Sequence, residues 1–410
     1  MVHLHGTKCP KAGTRSVDRA VNSSAQAPRP YLRLRPLATL KQTAIVFVAL
    51  MSSGMGVASF AQTISPDVQK AYDEHVKDNM PGFKIADVQA AKAAGTLTYL
   101  YPNSNSNSVA IKLFQKNFPF MKVTPIQMSG GAAAERFLAE QRAGHRGVDV
   151  VNLTDEGILV DAAKEGLCQE YVPSTDSSYL ESAKQAGRGL TYRYGGLLMG
   201  IVYVPSRLTP AQIASLSQWS TLSDPIWKGK AFGWISPNTG GSVVFANVYL
   251  YQKYGERAFK DHRAVASRIA IFEGTNALTQ AVVQGEIDLT GPASTGGPQG
   301  MWERGADIAW AVPKPTMAVP MAGCIAKGAP NLAAARLFWD WLLSDEAQIV
   351  MGDFGSFTYK QGLVLKAPKK LEAEPWYRPV DYNDVVDLSN ETLKKERQAV
   401  AEAWRAAFKE

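Results

Sequence analysis

GTLTYLYPNSNSNSVAIKLFQKN, residues 95–117, holds the pattern on which the fold turns. Its first part, 95–101, is rich in β-branched and aromatic residues and predicts a strand. Pro102-Asn103-Ser104-Asn105 then supplies turn formers. From 106 to 117 the apolar residues return at helical spacing behind a Ser-rich start suited to N-capping. A change of hydrophobic period from two to 3.6 across one polar loop is the mark of a β-loop-α unit.

The unit repeats on both sides of that stretch. A polar helical segment, 64–92, broken at Pro81-Gly82, leads into it. Residues 123–128 predict a second strand, Ser129-Gly130-Gly131 a loop, and 132–141 a helix. Residues 148–153 predict a third strand that ends in Thr154-Asp155-Glu156. A long strand-like stretch, 190–204, follows, and the alternation begins again. There 230–235 reads as strand, 238–242 as loop and 243–254 as helix. Then come strand 269–273, a loop at Gly274-Thr275-Asn276, helix 277–284, strand 287–290, a small-residue loop 291–297 and strand 308–312. Pro313, Pro315 and Pro320 predict an irregular crossing before strand 323–326 and helix 332–343. Helix 390–408 is amphipathic and is expected to pack back across the first α/β unit. The class is α/β, with mostly parallel sheets in two successive units, and 410 residues suit two domains.

Charge separates the N-terminal segment from the rest. Residues 1–61 carry Lys8, Lys11, Arg15, Arg19, Arg29, Arg33, Arg35 and Lys41 against Asp18 alone. They account for the whole formal excess of +7, so residues 62–410 are neutral and no nucleic-acid partner is expected. Within the segment, Arg29 to Lys41 form a basic region, residues 44–51 (AIVFVALM) an apolar one, and Ser59-Phe60-Ala61 a small-residue cleavage site. A signal peptide cleaved between Ala61 and Gln62 is predicted, with the mature chain in the periplasm. The apolar run falls short of the roughly 20 residues a membrane span needs.

Beyond residue 61 the cysteines are Cys168 and Cys324. In an oxidising compartment they are either bonded or two separately buried small apolar side chains. The histidines there are His75, His145 and His262, each in a polar or charged context that predicts a solvated side chain. No nucleophile–base, metal-ligand or phosphate-loop motif is present, so neither catalysis nor a cofactor is expected.

Function is expected in the loops between strands and helices. Open α/β sheets bind ligands outside the carboxyl ends of their strands, and helix starts favour negative charge. The first unit offers Tyr101, Asn103, Ser104, Asn105, Ser106, Ser129, Gly130, Gly131, Thr154 and Asp155. The second offers Asn238, Thr239, Gly240, Gly241, Ser242, Thr275, Asn276, Ser294 and Thr295.

Four blocks carry a family resemblance: DVQAAKAAGTLTYLYPNS (87–104), GILVDAAKEGLCQEYVP (157–173), TNALTQAVVQGEIDLTGPAS (275–294) and AVPMAGCIAKGAPNLAAARLFWDWLLSDEAQIVM (318–351). Over about residues 85–365 the chain resembles the iron-type solute-binding proteins of ABC importers, of the type II periplasmic binding protein fold. That resemblance implies two discontinuous lobes, 62–200 with 318–410 and 201–317. They would hinge at crossings near 198–204 and 313–321, with Gly195, Gly196 and Gly200 absorbing the motion. It also implies a small-molecule ligand, an importer permease as partner and a monomeric binding protein. Ferric binders of the family use adjacent tyrosines just after their Gly-Glu-x-Asp strand. Here that strand, Gly285-Glu286-Ile287-Asp288, is followed by Gly291-Pro292-Ala293-Ser294-Thr295-Gly296-Gly297. The expected ligand is therefore an anion (an organic phosphate, phosphonate or carboxylate) with no metal bound. Ferric ion, using Tyr101, Tyr192 or Tyr194, is the alternative; a sensor or an enzyme on the same fold is another.

Overall fold

The computed structural model describes residues 63–408 apart from 103–104, 238–240, 387 and 389. The proposed signal segment, Asn103, Ser104, Asn238, Thr239 and Gly240 lie outside the described residues.

The first unit opens with α1 (Pro66–Ala71) and α2 (Ile85–Ala94), which ends where Gly95 enters the left-handed region at φ 67°. Then follow β1 (Thr96–Pro102), α3 (Asn105–Asn117), β2 (Lys122–Met128), α4 (Gly130–Arg142), β3 (Val150–Leu153) and α5 (Glu156–Lys164). The strands pair in parallel, β2 and β3 flanking β1, as the alternation predicts.

A long buried strand, β4 (Tyr192–Tyr203), leaves this unit. After α6 (Pro210–Ser215) come β5 (Ala231–Ile235), α7 (Gly241–Tyr254), α8 (Arg257–Val265), β6 (Arg268–Phe272), α9 (Thr275–Gln284), β7 (Leu289–Thr290), β8 (Ala293–Ser294), α10 (Gly296–Glu303) and β9 (Ala309–Ala311). Here β5 lies between β6 and β7, again in parallel. The chain returns through β10 (Thr316–Ile325), α11 (Leu332–Leu342), α12 (Asp345–Gly352), β11 (Ser356–Phe357), α13 (Lys369–Glu372), β12 (Val385–Val386) and α14 (Asn390–Phe408).

The sheet order β2-β1-β3-β10-β4-β7-β5-β6 sets two parallel triplets at the ends of an antiparallel centre. That centre is the pair of return strands, β4 and β10, buried along their whole length. The irregular crossing expected at 313–321 is thus in its greater part a regular strand. Pro320 is accommodated because β3 pairs with β10 only from Ala322 onward, so no ladder bond to β3 is needed from its missing N–H. Glycine in β4 also serves close packing: a Cβ on Gly200 would lie 2.5 Å from the Ala311 carbonyl oxygen.

Three sequence expectations need correction. First, 291–297 is no plain loop, because it contains β8 and the start of α10. Second, α14 packs chiefly on α7 and α8, with a smaller contact to the first unit at α5. Its apolar end decides this: Trp404 is fully buried, and Phe408 lies 5.4 Å from Trp234 and 6.1 Å from Phe259, centroid to centroid. Third, His262 is not solvated. It shares the inner face of α8 with Ala258 and Phe259 and lies against Trp234 at 4.9 Å. Burial pushes its pKa down to about 3. His145 is exposed as expected, whereas His75 is part-buried, with Nδ1 3.2 Å from Glu346.

Cys168 and Cys324 are bonded. The bond ties the segment after α5 to β10 inside a buried cluster with Val151 and Ala162.

Candidate ligand-binding cleft

The carboxyl ends of β1 and β2 in the first unit face the starts of α9 and α10 in the second. Asn105 and Ser106 come from the first turn of α3, and Gln127 from the end of β2. Thr275 and Asn276 open α9, Ser294 lies in β8, and Gly296 and Gly297 open α10. Leu197 of β4 and Phe354 complete the wall. Among the described residues, the lining holds no charged side chain. Its polarity comes from amides, hydroxyls and the free N–H groups of helix starts.

Those starts are open to a ligand. The residue before α9 is Gly274, which has no side chain to cap with, and Thr295 before α10 makes no capping bond. Glycine at 296 and 297 keeps the backbone approachable. A Cβ on Gly297 would lie 3.2 Å from Thr275 Cγ2, and one on Gly300 2.8 Å from Asn105 Nδ2. The cleft is nearly shut: Asn105 Nδ2 donates to the Gly296 carbonyl at 2.8 Å, and about 40 Å³ remains. That is room for a few waters, so an organic ligand needs the two sides to part.

The structure gathers only part of the expected site. Asn105, Thr275, Asn276 and Ser294 line the cleft together. Thr295 is turned away; its buried hydroxyl makes no hydrogen bond and faces Gly355. Tyr101 is core, stacked on Tyr99 at 4.9 Å with its hydroxyl 3.3 Å from Ser108. Ser129, Gly130 and Gly131 begin α4, where a Cβ on Gly130 would meet Thr154 Oγ1 at 2.7 Å. Thr154 and Asp155 lie in a separate recess roofed by α14. There Arg397 Nη1 donates to Asp155 at 3.1 Å, and Lys394 to Asp161 of α5 at 2.6 Å. Gly241 and Ser242 begin α7, and Val244 and Phe245 of the same helix line that recess.

Sequence reasoning missed Gln127, Leu197, Gly296, Gly297 and Phe354. Pro298, in the first turn of α10, was the available signal for a helix start at Gly296. Gln127 and Phe354 carry no local signal.

The phenols considered for ferric ion, Tyr101, Tyr192 and Tyr194, are committed elsewhere, Tyr101 beside Ser108, and Tyr99 next to them is committed too. Tyr99 and Tyr194 both donate to Asn107 Oδ1, at 3.0 and 2.9 Å, and Asn152 also reaches Tyr194. Tyr192 donates to Asp176 at 2.7 Å. Burial pushes the pKa of Tyr99, Tyr192 and Tyr194 up, which keeps them protonated.

Two parallel triplets joined by two return strands, with a cleft between their helix starts, define a two-lobed periplasmic binding protein. The sequence profile described as bacterial extracellular solute-binding protein matches residues 108–356, and the chain belongs to that family. Iron-bound HitA from Pseudomonas aeruginosa has a similar structure, with TM-score 0.59 and 19% identity over 76% of this chain and 99% of that one. AfuA from Actinobacillus pleuropneumoniae, solved with fructose-6-phosphate, gives 0.60 and 20% over 77% and 99%. The substrate-binding protein of an ABC transporter from Agrobacterium tumefaciens gives 0.59 and 18% over 76% and 94%. Comparison with curated protein sequences returns no match. The family is one of transport binding proteins. Among the described residues, no helix is long and apolar enough to cross a membrane.

Proposed function

We propose that the protein captures a small anion in this cleft, in the periplasm, and hands it to the permease of an ABC importer. An organic phosphate, phosphonate or carboxylate is the favoured class. One observation carries the reading. The starts of α3, α9 and α10 converge on a single cleft whose side chains are all neutral. Helix starts present N–H donors and partial positive charge, so they favour an anion without a fixed cation. AfuA's bound sugar phosphate supports the class. The engagement of Tyr101, Tyr192 and Tyr194 in internal contacts and hydrogen bonds argues against ferric ion, which needs deprotonated oxygens. Residues 62–200 with 318–371 would form one lobe and 201–317 the other. The packing of α14 on α7 and α8 supports grouping the C-terminal helix with the second.

Thermal-shift and calorimetric titration of fructose 6-phosphate, methylphosphonate, citrate and ferric citrate tests the reading. One or more of the iron-free anions should bind saturably and raise the Tm. Binding of ferric citrate with a visible charge-transfer colour, and of none of the others, would overturn it.

A further inference from the structure

A larger cavity than the cleft lies elsewhere in the fold. It holds about 690 Å³, within the range of organic-ligand sites, and shares no lining residue with the cleft. One side is formed by β4, α6 and β9; the other is the chain just after α13. Its wall is aromatic. Trp310 is nearly buried and meets Trp376 edge-on at 4.8 Å, with Tyr203 and Tyr377 beside them. Among the described residues, no Asp or Glu lines it.

Its two cations differ. Lys314 is neutralised by Asp381 at 2.9 Å. Arg378 has no carboxylate partner among the described residues: its Nη1 donates to the Pro375 and Tyr377 carbonyls at 2.9 and 2.7 Å. Nε and Nη2 remain for an acceptor, in the fork geometry that suits a carboxylate.

We propose that this cavity is a second binding site, for an amphipathic carboxylate with an aromatic or aliphatic body. The rings and Ile213 take the apolar body, and Arg378 takes the charged end. A polyol or sugar phosphate would leave hydroxyls unpaired against the indoles, so the two sites select different chemistry.

The test titrates 4-phenylbutyrate and its uncharged analogue 4-phenylbutan-1-ol into the full chain, read by tryptophan fluorescence. Both should bind saturably, the carboxylate more tightly. Arg378→Gln should weaken phenylbutyrate about tenfold or more, the scale of a hydrogen bond to a charged group, and leave the alcohol unchanged. Arg378→Lys should restore part of the preference. Trp376→Ala should weaken both, while Asn105→Ala and Thr275→Val in the cleft should change neither. Three results would each overturn the proposal: no saturable binding of either probe, a full carboxylate preference in Arg378→Gln, or displacement of phenylbutyrate by a cleft ligand.

Discussion

Asn105 and Gly296 stand 191 residues apart in the chain, and the side-chain amide of one donates to the carbonyl of the other at 2.8 Å. The bond joins the first turn of α3 to the first turn of α10 across the cleft. It also places an amide where an entering anion would sit. Closure is therefore a balance between this internal bond and the bonds a ligand offers to both sides, and a ligand shifts it only by its differential affinity.

Asn105→Ala removes the bond and should favour the open form of the free protein. Small-angle scattering should show a larger radius of gyration than wild type without ligand. The expected loss is about 1 kcal/mol, the usual net worth of one hydrogen bond.

Within the cleft, Thr275→Val and Ser294→Ala should each weaken anion binding by about 1.5–3 kcal/mol, the range for hydrogen bonds to charged groups. Ser129→Ala and Thr154→Val lie outside the cleft lining and should leave affinity within twofold by calorimetry.

The strand and helix pattern of both units was legible because hydrophobic period is a local property. So was part of the candidate cleft, since Asn105, Thr275 and Asn276 open helices just after strands and Ser294 ends β8. What the sequence hid depends on distant partners. Asp155 looked like a ligand-binding loop residue, but its partner Arg397 lies 242 positions away. His262 looked solvated among charged neighbours, and only the docking of α14 and β5 reveals that it faces inward. Two glycines at 296 and 297 disguised a helix start as a loop. Pro320 disguised a strand, because the gap in β3 pairing that tolerates it is not a sequence feature.

Folding stability should fall in acid through His262. Its folded pKa of about 3 lies below the ordinary 6.5, so below pH 6.5 the unfolded chain binds a proton that the folded chain refuses. The contribution is complete above pH 6.5 and is lost as pH falls toward 3, at roughly 1.4 kcal/mol per pH unit. Urea titrations of His262→Leu should show a shallower acid limb than wild type. An unchanged slope would show that other groups govern it.

The disulfide closes a loop with a sequence separation of 156. Reduction, or Cys168→Ala with Cys324→Ala, should cost about 2–5 kcal/mol by denaturant titration.

Anchoring of α14 should rest on its apolar end. Trp404→Ala should cost about 3–5 kcal/mol. Arg397→Ala breaks a partly exposed ion pair and should cost under about 1 kcal/mol. Equal losses by thermal unfolding would contradict that division.

The central claim is that an anion is held by helix starts from both sides of one cleft. A crystal structure grown with the iron-free anion that gives the largest thermal shift tests it most directly. The account predicts ligand oxygens within about 3 Å of backbone N–H groups at the start of α3 and of α9 or α10, with Thr275 or Ser294 donating as well. A ligand touching one side only, or a metal held by tyrosine oxygens, would contradict it.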